Sequence, residues 1–156
     1  MKFRNTCGDR FTLTEMADAI TKFIREDKSS KYDLMIGSDS HFSKGHTNLA
    51  TAVIIHRVGS CARLFITEEK VKGDLDICTK IINETRASIE IMRCFENSEF
   101  LYLVDSTAIH IDAGSKGLSN KVIKDCIHYV KGFGYDYEVK PKSFAATNVA
   151  DKFTRK

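Results

Sequence analysis

Apolar positions along this chain change period several times, and each change marks an element. Leu13, Met16, Ala17, Ile20, Phe23 and Ile24 recur at three- and four-residue steps, the spacing of one helix face. Thr12 and Glu15 stand where a capping box would open that helix, and Asp27-Lys28-Ser29-Ser30 ends it. The run Tyr32-Asp33-Leu34-Met35-Ile36-Gly37-Ser38-Asp39-Ser40 then reads as a strand that delivers Asp39 at its carboxyl end. Ser43-Lys44-Gly45-His46 is turn-like, and Leu49 to His56 is rich in β-branched residues and reads as a second strand. Arg57-Val58-Gly59-Ser60 turns the chain into a third strand from Ala62 to Thr67. Short turns between three strands predict an antiparallel meander.

After Lys72-Gly73 the period lengthens again. Asp74 is placed to cap a helix running to about Glu96, with Cys78, Ile81, Ile82, Ile89, Ile91, Met92 and Phe95 on its apolar arc. Phe100 to Val104 and Ile109 to Ile111 read as strand, interrupted near Asp105-Ser106. Ala113 to Gly117 is a loop, and Leu118 to Lys131 is a helix stopped by Gly132-Phe133-Gly134. Tyr135 to Val139 alternates as a short strand, and Pro141 ends it. Ser143 is placed to cap a last helix through Ala145, Ala146, Val149 and Phe153. The order α, β, β, β, α, β, α, β, α predicts a mixed α/β sheet with helices on both faces and right-handed crossovers.

A chain of 156 residues has the length of one domain. With 42% apolar and 29% charged residues it is neither collagenous nor a disordered tail. Its apolar runs are too short to cross a bilayer, so no membrane partner is expected. Met1-Lys2-Phe3-Arg4-Asn5-Thr6 is not a secretory signal. Five dispersed cysteines without a Cys-x-x-Cys pair read as reduced thiols in a cytoplasmic protein, with Cys78 and Cys94 as small core residues of the long helix. The net charge of +3 is unevenly spread. From Lys140 to Lys156, five bases face one acid, Asp151. Such an end can meet a phosphate backbone, or simply be a solvated helix terminus.

Ligands of open α/β sheets bind outside the carboxyl ends of parallel strands. Two acids fall at such ends, Asp39 and Asp112. If their strands are parallel neighbours, the carboxylates lie side by side and raise each other's pKa, a penalty that a divalent cation removes. On the long helix Glu84 shares a row with Ile81, Ser88 and Ile91 and can face the sheet, whereas Glu90 falls on the polar side. Asp151 stands beside Ala150 in the final helix. The set Asp39, Glu84, Asp112 and Asp151 offers hard oxygen ligands, which suit Mg²⁺ or Mn²⁺ rather than zinc. A pair of such ions about 3.5–4 Å apart can activate water and stabilise the leaving oxygen in phosphodiester cleavage. The alternative is a set of ordinary surface acids, since the chain has 21. No P-loop or Gly-x-Gly-x-x-Gly is present.

Ile36-Gly37-Ser38-Asp39-Ser40-His41, His110-Ile111-Asp112-Ala113-Gly114, and Lys140-Pro141-Lys142-Ser143-Phe144-Ala145-Ala146 with Ala150-Asp151-Lys152 follow one another in order. In these motifs the chain resembles the YkuK family of ribonuclease-H-like proteins, from about Tyr32 to Lys152. The resemblance implies a ribonuclease-H-like mixed five-stranded sheet: three antiparallel strands, then two parallel to the first. The helix over 12–27 would be an extension of that core. It also implies a metal-dependent nuclease acting on RNA, DNA or hybrid, with a non-cleaving nucleic-acid-binding module of the same fold as the alternative. Its acids would be Asp39, Glu84 (Glu90 as fallback), Asp112 (Asp105 as fallback) and Asp151.

Several neighbours complete the reading. Ser38 and Ser40 would orient the Asp39 carboxylate or a water. His41 lies two residues from Asp39, on the same side of an extended chain, where it could contact phosphate or shuttle a proton; a plain loop histidine is the alternative. His110 packs in or beside the sheet. Lys140, Lys142 and Lys152 could grip a nucleic-acid backbone, with Phe144 and Phe153 either stacking a base or filling the core.

Overall fold

The computed structural model describes residues 1–114, 117 and 120–154. Strands β1 (Phe3–Asn5) and β2 (Arg10–Phe11) precede helix α1 (Leu13–Arg25). Three long strands follow: β3 (Tyr32–Ser43), β4 (His46–Arg57) and β5 (Ala62–Lys72). Helix α2 (Ile77–Phe95), a 3-10 turn (Glu99–Tyr102), β6 (Ser106–Ile111), helix α3 (Asn120–Gly132) and β7 (Tyr137–Val139) come next. A π-helical segment (Ala145–Ala150) runs directly into a last α-helical turn, α4 (Asp151–Thr154).

The strands form one sheet in the order β2-β1-β5-β4-β3-β6-β7. β3, β4 and β5 pair antiparallel, and β6 and β7 add parallel to β3. The predicted order of three antiparallel and two parallel strands is therefore present, extended at one edge by β1 and β2. Those two short strands escaped the sequence reading, because three residues and two residues are too few to show alternation. Phe3 nevertheless anchors the edge, 1% exposed in the main core.

Alternation along β3 sorts the two faces. Leu34 and Ile36 point into the large core with Met16, Ile20, Ile81, Ile89, Phe95 and Ile123 from α1, α2 and α3. Met35 points to the other face, where Ala145 of the π-helical segment packs on it and Ile54. Ala150 packs nearby on Ala50 and Ala52. Across the ladder Gly37 faces Ala52 and Asp39 faces Ala50. This row of small side chains lets the C-terminal segment lie close to the sheet, and so sets Asp151 and Thr154 beside β3.

Local signals account for the helix starts. Thr12 caps α1 in a capping box with Glu15, as its sequence predicts. Asp76, and not Asp74, caps α2, accepting from the backbone N–H groups of Cys78 and Thr79. Asp74 instead pairs with Lys80 at 3.0 Å. Phe100 to Val104 is no strand. Phe100 is buried edge-on against Phe95 while Tyr102, two residues on, is 83% exposed, a contrast that strand alternation does not give and a 3-10 turn does. Ser143 does not cap the last helix with its side chain. Its carbonyl accepts from the Thr147 N–H at 3.0 Å and the Thr147 hydroxyl at 3.1 Å. Ile82 and Cys94 leave the predicted core of α2 and face solvent, while Cys78 is half-buried. Phe144 is 41% exposed, and Phe153 is half-buried beneath the Arg4 guanidinium. Residues 115, 116, 118 and 119, which fall within the predicted loop and the start of its following helix, and the basic Arg155 and Lys156 lie outside the described residues.

Candidate active site

Parallel register brings the first two acids together. Gly37 of β3 pairs with His110 of β6. Two residues on, Asp39 and Asp112 occupy equivalent positions on the same face, just where β6 ends. β3 continues past that point to its hairpin with β4. The end of β6 thus leaves a step in the sheet, and the carboxylates stand on it. Asp151 enters from the π-helical face. Glu84 comes from α2 on the opposite face and reaches the same step past Ser40.

Asp39, Glu84 and Asp112 each have a neighbour of their own. The Thr154 hydroxyl donates to Asp39 Oδ2 at 3.1 Å. The Ser40 hydroxyl donates to Glu84 Oε1 at 2.5 Å. Asp112 Oδ1 accepts from the Thr147 hydroxyl at 2.6 Å and lies 3.1 Å from the Lys140 ammonium. These contacts leave the crowding of negative charge unresolved. Burial, then repulsion from Asp112 and Asp151, raises Asp39 to about 6 against the opposing hydrogen bond from Thr154. Glu84, 6% exposed, is raised to about 8, chiefly by burial and further by Asp39 and Asp112. Asp39 is therefore within electrostatic reach of Glu84, Asp112 and Asp151, and Glu84 also of Asp112.

The fallback acids lie elsewhere. Asp105 sits at the other end of β3, where its carboxylate accepts from the Tyr32 N–H at 2.8 Å and its own N–H donates to the Tyr32 carbonyl at 2.8 Å. That end is roughly 20 Å away, given seven residues of strand. Glu90 is exposed and lies 3.9 Å from Arg86. Ser38 does not orient Asp39. It points to the other face, where its hydroxyl is bonded to those of Thr51 at 2.7 Å and Ser88 at 2.8 Å. Ser40 is a site residue, but its carboxylate is Glu84. His41 is exposed on the rim.

His110 is buried, and its Nδ1 accepts the Ala145 N–H at 3.1 Å, so Nε2 carries the ring proton. Burial lowers it to about 4, and it remains neutral at physiological pH. It pins the start of the π-helical segment. Lys140, Lys142 and Lys152 are exposed around the site. Thr147 and Thr154, two turns apart, hold carboxylates and were not anticipated from sequence. The cue was their interval, which puts two hydroxyls on one face of the segment that carries Asp151.

In kind and charge the donors fit a hard divalent cation, since an all-carboxylate set with two members pushed toward protonation is the arrangement such a charge relieves. In position they are turned to their neighbours. Among the described residues, no three His, Cys, Asp or Glu side chains converge closely enough to hold an ion as they stand.

The sheet order is that of a ribonuclease-H-like fold. The family model described as "Ribonuclease H-like" matches residues 15–155, and the chain belongs to that family. It is similar to "Uncharacterized protein YkuK" of Bacillus subtilis (strain 168), at 25% identity over 98% of this chain and 96% of that one. A solved N-terminal ribonuclease H domain of Rv2228c from Mycobacterium tuberculosis, fused to maltose-binding protein, aligns at 7% identity and a TM-score of 0.42. That alignment spans 80% of this chain and 95% of the domain. No described helix is long and apolar enough to cross a membrane.

Proposed function

We propose that the protein is a metal-dependent nuclease that hydrolyses phosphodiester bonds of RNA, DNA or a hybrid at the step formed by Asp39, Glu84, Asp112 and Asp151. The carrying observation is the coupled elevation of Asp39 to about 6 and Glu84 to about 8 at a strand end. A purely structural cluster gains nothing from such repulsion, and perturbed acids in one place mark functional sites. Mg²⁺ or Mn²⁺ held by these four acids would supply the charge that activates water and stabilises the leaving oxygen.

The chain's own groups have separate tasks. Ser40, Thr147 and Thr154 fix the carboxylates of Glu84, Asp112 and Asp39 by donating to one oxygen each. Lys142 and Lys152 offer positive charge to the flanking phosphates. Phe144, edge-on to His110 with ring centroids 5.0 Å apart, presents an apolar face beside them.

The test is cleavage of labelled RNA, DNA and hybrid duplexes with Mn²⁺. Asp39→Asn should lower the rate about a thousandfold, since several kcal/mol of charge stabilisation converts at one decade per 1.4 kcal/mol. Unchanged activity in that variant would remove this site. One observation favours a second reading, a module that binds nucleic acid without cutting it: Asp112 is already neutralised by Lys140. Salt-dependent affinity that needs no metal and is lost in Lys140→Glu/Lys142→Glu, with no cleavage of any substrate, would establish it.

A further inference from the structure

Lys140 stands where it does because of the sheet. Ile111 pairs with Val139 in parallel register. One residue further, the Lys140 N–H donates to the Ala113 carbonyl at 3.1 Å. The backbone beside Asp112 is thereby fixed. The Lys140 side chain is 44% exposed, whereas that of Asp112 is 16% exposed. The ammonium therefore lies at the rim, with its carboxylate partner inside and open solvent outside.

We infer that Lys140 is a built-in stand-in cation. It neutralises Asp112 in the metal-free protein, yields that carboxylate to the divalent ion, and turns outward to a substrate phosphate. The inference rests on the proposed metal site and adds its regulation, a coupling of metal binding to nucleic-acid binding through one side chain. The chemistry is an exchange of partners. A carboxylate oxygen that holds an ammonium at 3.1 Å is not fully available to a second cation. The divalent ion carries twice the charge and wins the oxygen. The displaced ammonium keeps its own charge and needs an anion, which the phosphate backbone supplies. Lys142, exposed two residues on, extends the same positive rim. Linkage makes the coupling reciprocal, so metal strengthens nucleic-acid binding by the factor by which nucleic acid strengthens metal binding.

Titration calorimetry with Mn²⁺ alone tests the first half, on the full chain without nucleic acid. Lys140→Met removes the charge but keeps the stem, and it should bind Mn²⁺ roughly fivefold more tightly than wild type, the factor a partly exposed ion pair commands. Lys140→Arg keeps the charge and should stay at the wild-type value. A fluorescent RNA–DNA hybrid tests the second half. Ca²⁺ should tighten its binding to wild type several-fold, and that gain should vanish in Lys140→Met. Equal Mn²⁺ affinity in wild type and Lys140→Met overturns the inference while leaving the metal site standing. A Ca²⁺ effect on hybrid binding that survives in Lys140→Met also overturns it. Failure of wild type and both Lys140 variants to bind Mn²⁺ overturns both this inference and the site on which it rests.

Discussion

The two ends of strand β3 carry the same kinds of residue and treat them in opposite ways. At the Tyr32 end Asp27, Asp33, Arg57 and Asp105 each have a matched partner. Asp105 accepts the Tyr32 N–H with its carboxylate and donates its own N–H to the Tyr32 carbonyl. The Arg57 Nε donates to the Tyr32 hydroxyl at 2.8 Å, and the guanidinium lies 4.5 Å from the Phe23 ring centroid. The Ser29 and Ser30 hydroxyls hold Asp27 down to about 2. At the Asp39 end the acids face one another, and two of them are displaced upward toward protonation. One sheet thus has an end that holds the fold together and an end that works against it. Local charge conflict of that kind persists where the surrounding packing over-determines it, which is characteristic of functional sites.

The largest effect should come from breaking the matched end. Tyr32 is 1% exposed, packs edge-on against Phe23 with centroids 5.8 Å apart, and gathers Arg57 through its hydroxyl. Tyr32→Ala should cost about 4 kcal/mol of stability, as deletion of a buried aromatic does. The melting temperature should fall by roughly 10 °C. Denaturant unfolding measures the loss. A change below about 1 kcal/mol would mean that this end does not anchor the fold.

Breaking the other end should do the reverse. The sign follows from Glu84. Its folded pKa of about 8 exceeds its ordinary value of 4.5, so between those values the folded state holds more proton than the unfolded state. Metal-free stability therefore falls as pH rises through that window and levels off at its full penalty above about pH 8. Glu84→Gln removes the charge and should stabilise the metal-free protein at pH 8 by roughly 2 kcal/mol, with little gain at pH 5. Thermal melts at the two pH values decide it. An equal effect at both would show that Glu84 is not charge-strained.

The asymmetry was only half visible in the sequence. Asp39 and Asp112 announced themselves because each follows a short apolar run, and the strand-end rule needs nothing more. Glu84 followed from its row on α2, shared with Ile81, Ser88 and Ile91. The antiparallel meander and the two parallel additions followed from turn lengths and crossover helices. The rest depended on three-dimensional detail. Asp105 and Asp112 both follow apolar stretches, and only the register of β6 against β3 separates the anchor from the site acid. Ser38 and Ser40 flank Asp39, so strand alternation puts both on the opposite face of the sheet, and the position of α2 shows what they meet there. The π-helical turn was hidden because Ala145 to Ala150 has no residue that distinguishes it from an α-helix; its surroundings are tertiary, with the Ala145 N–H given to His110 and a row of small residues on the sheet beneath.

The finest comparison is between single hydroxyls at the two ends. Thr154, 1% exposed, donates to Asp39 and lowers it against burial and repulsion. Ser30 donates to Asp27 at 2.6 Å and lowers it in the open. Removing either hydroxyl should raise its acid, by less than about one pKa unit, since a hydrogen bond to a charged group contributes on the order of 1 kcal/mol net. The consequences differ because the starting points differ. In Ser30→Ala, Asp27 rises from about 2 and is still ionised throughout the physiological range. In Thr154→Val, Asp39 rises from about 6 and becomes substantially protonated near pH 7 in the metal-free protein. Carboxyl carbon shifts followed by NMR through a pH titration resolve both residues. At neutral pH, Thr154→Val should therefore need more Mn²⁺ to reach half-saturation, and the deficit should close as pH is raised, because the ion must then displace fewer protons. An affinity deficit that does not change with pH would assign Thr154 to holding the Asp39 side chain in place, with no part in setting its charge.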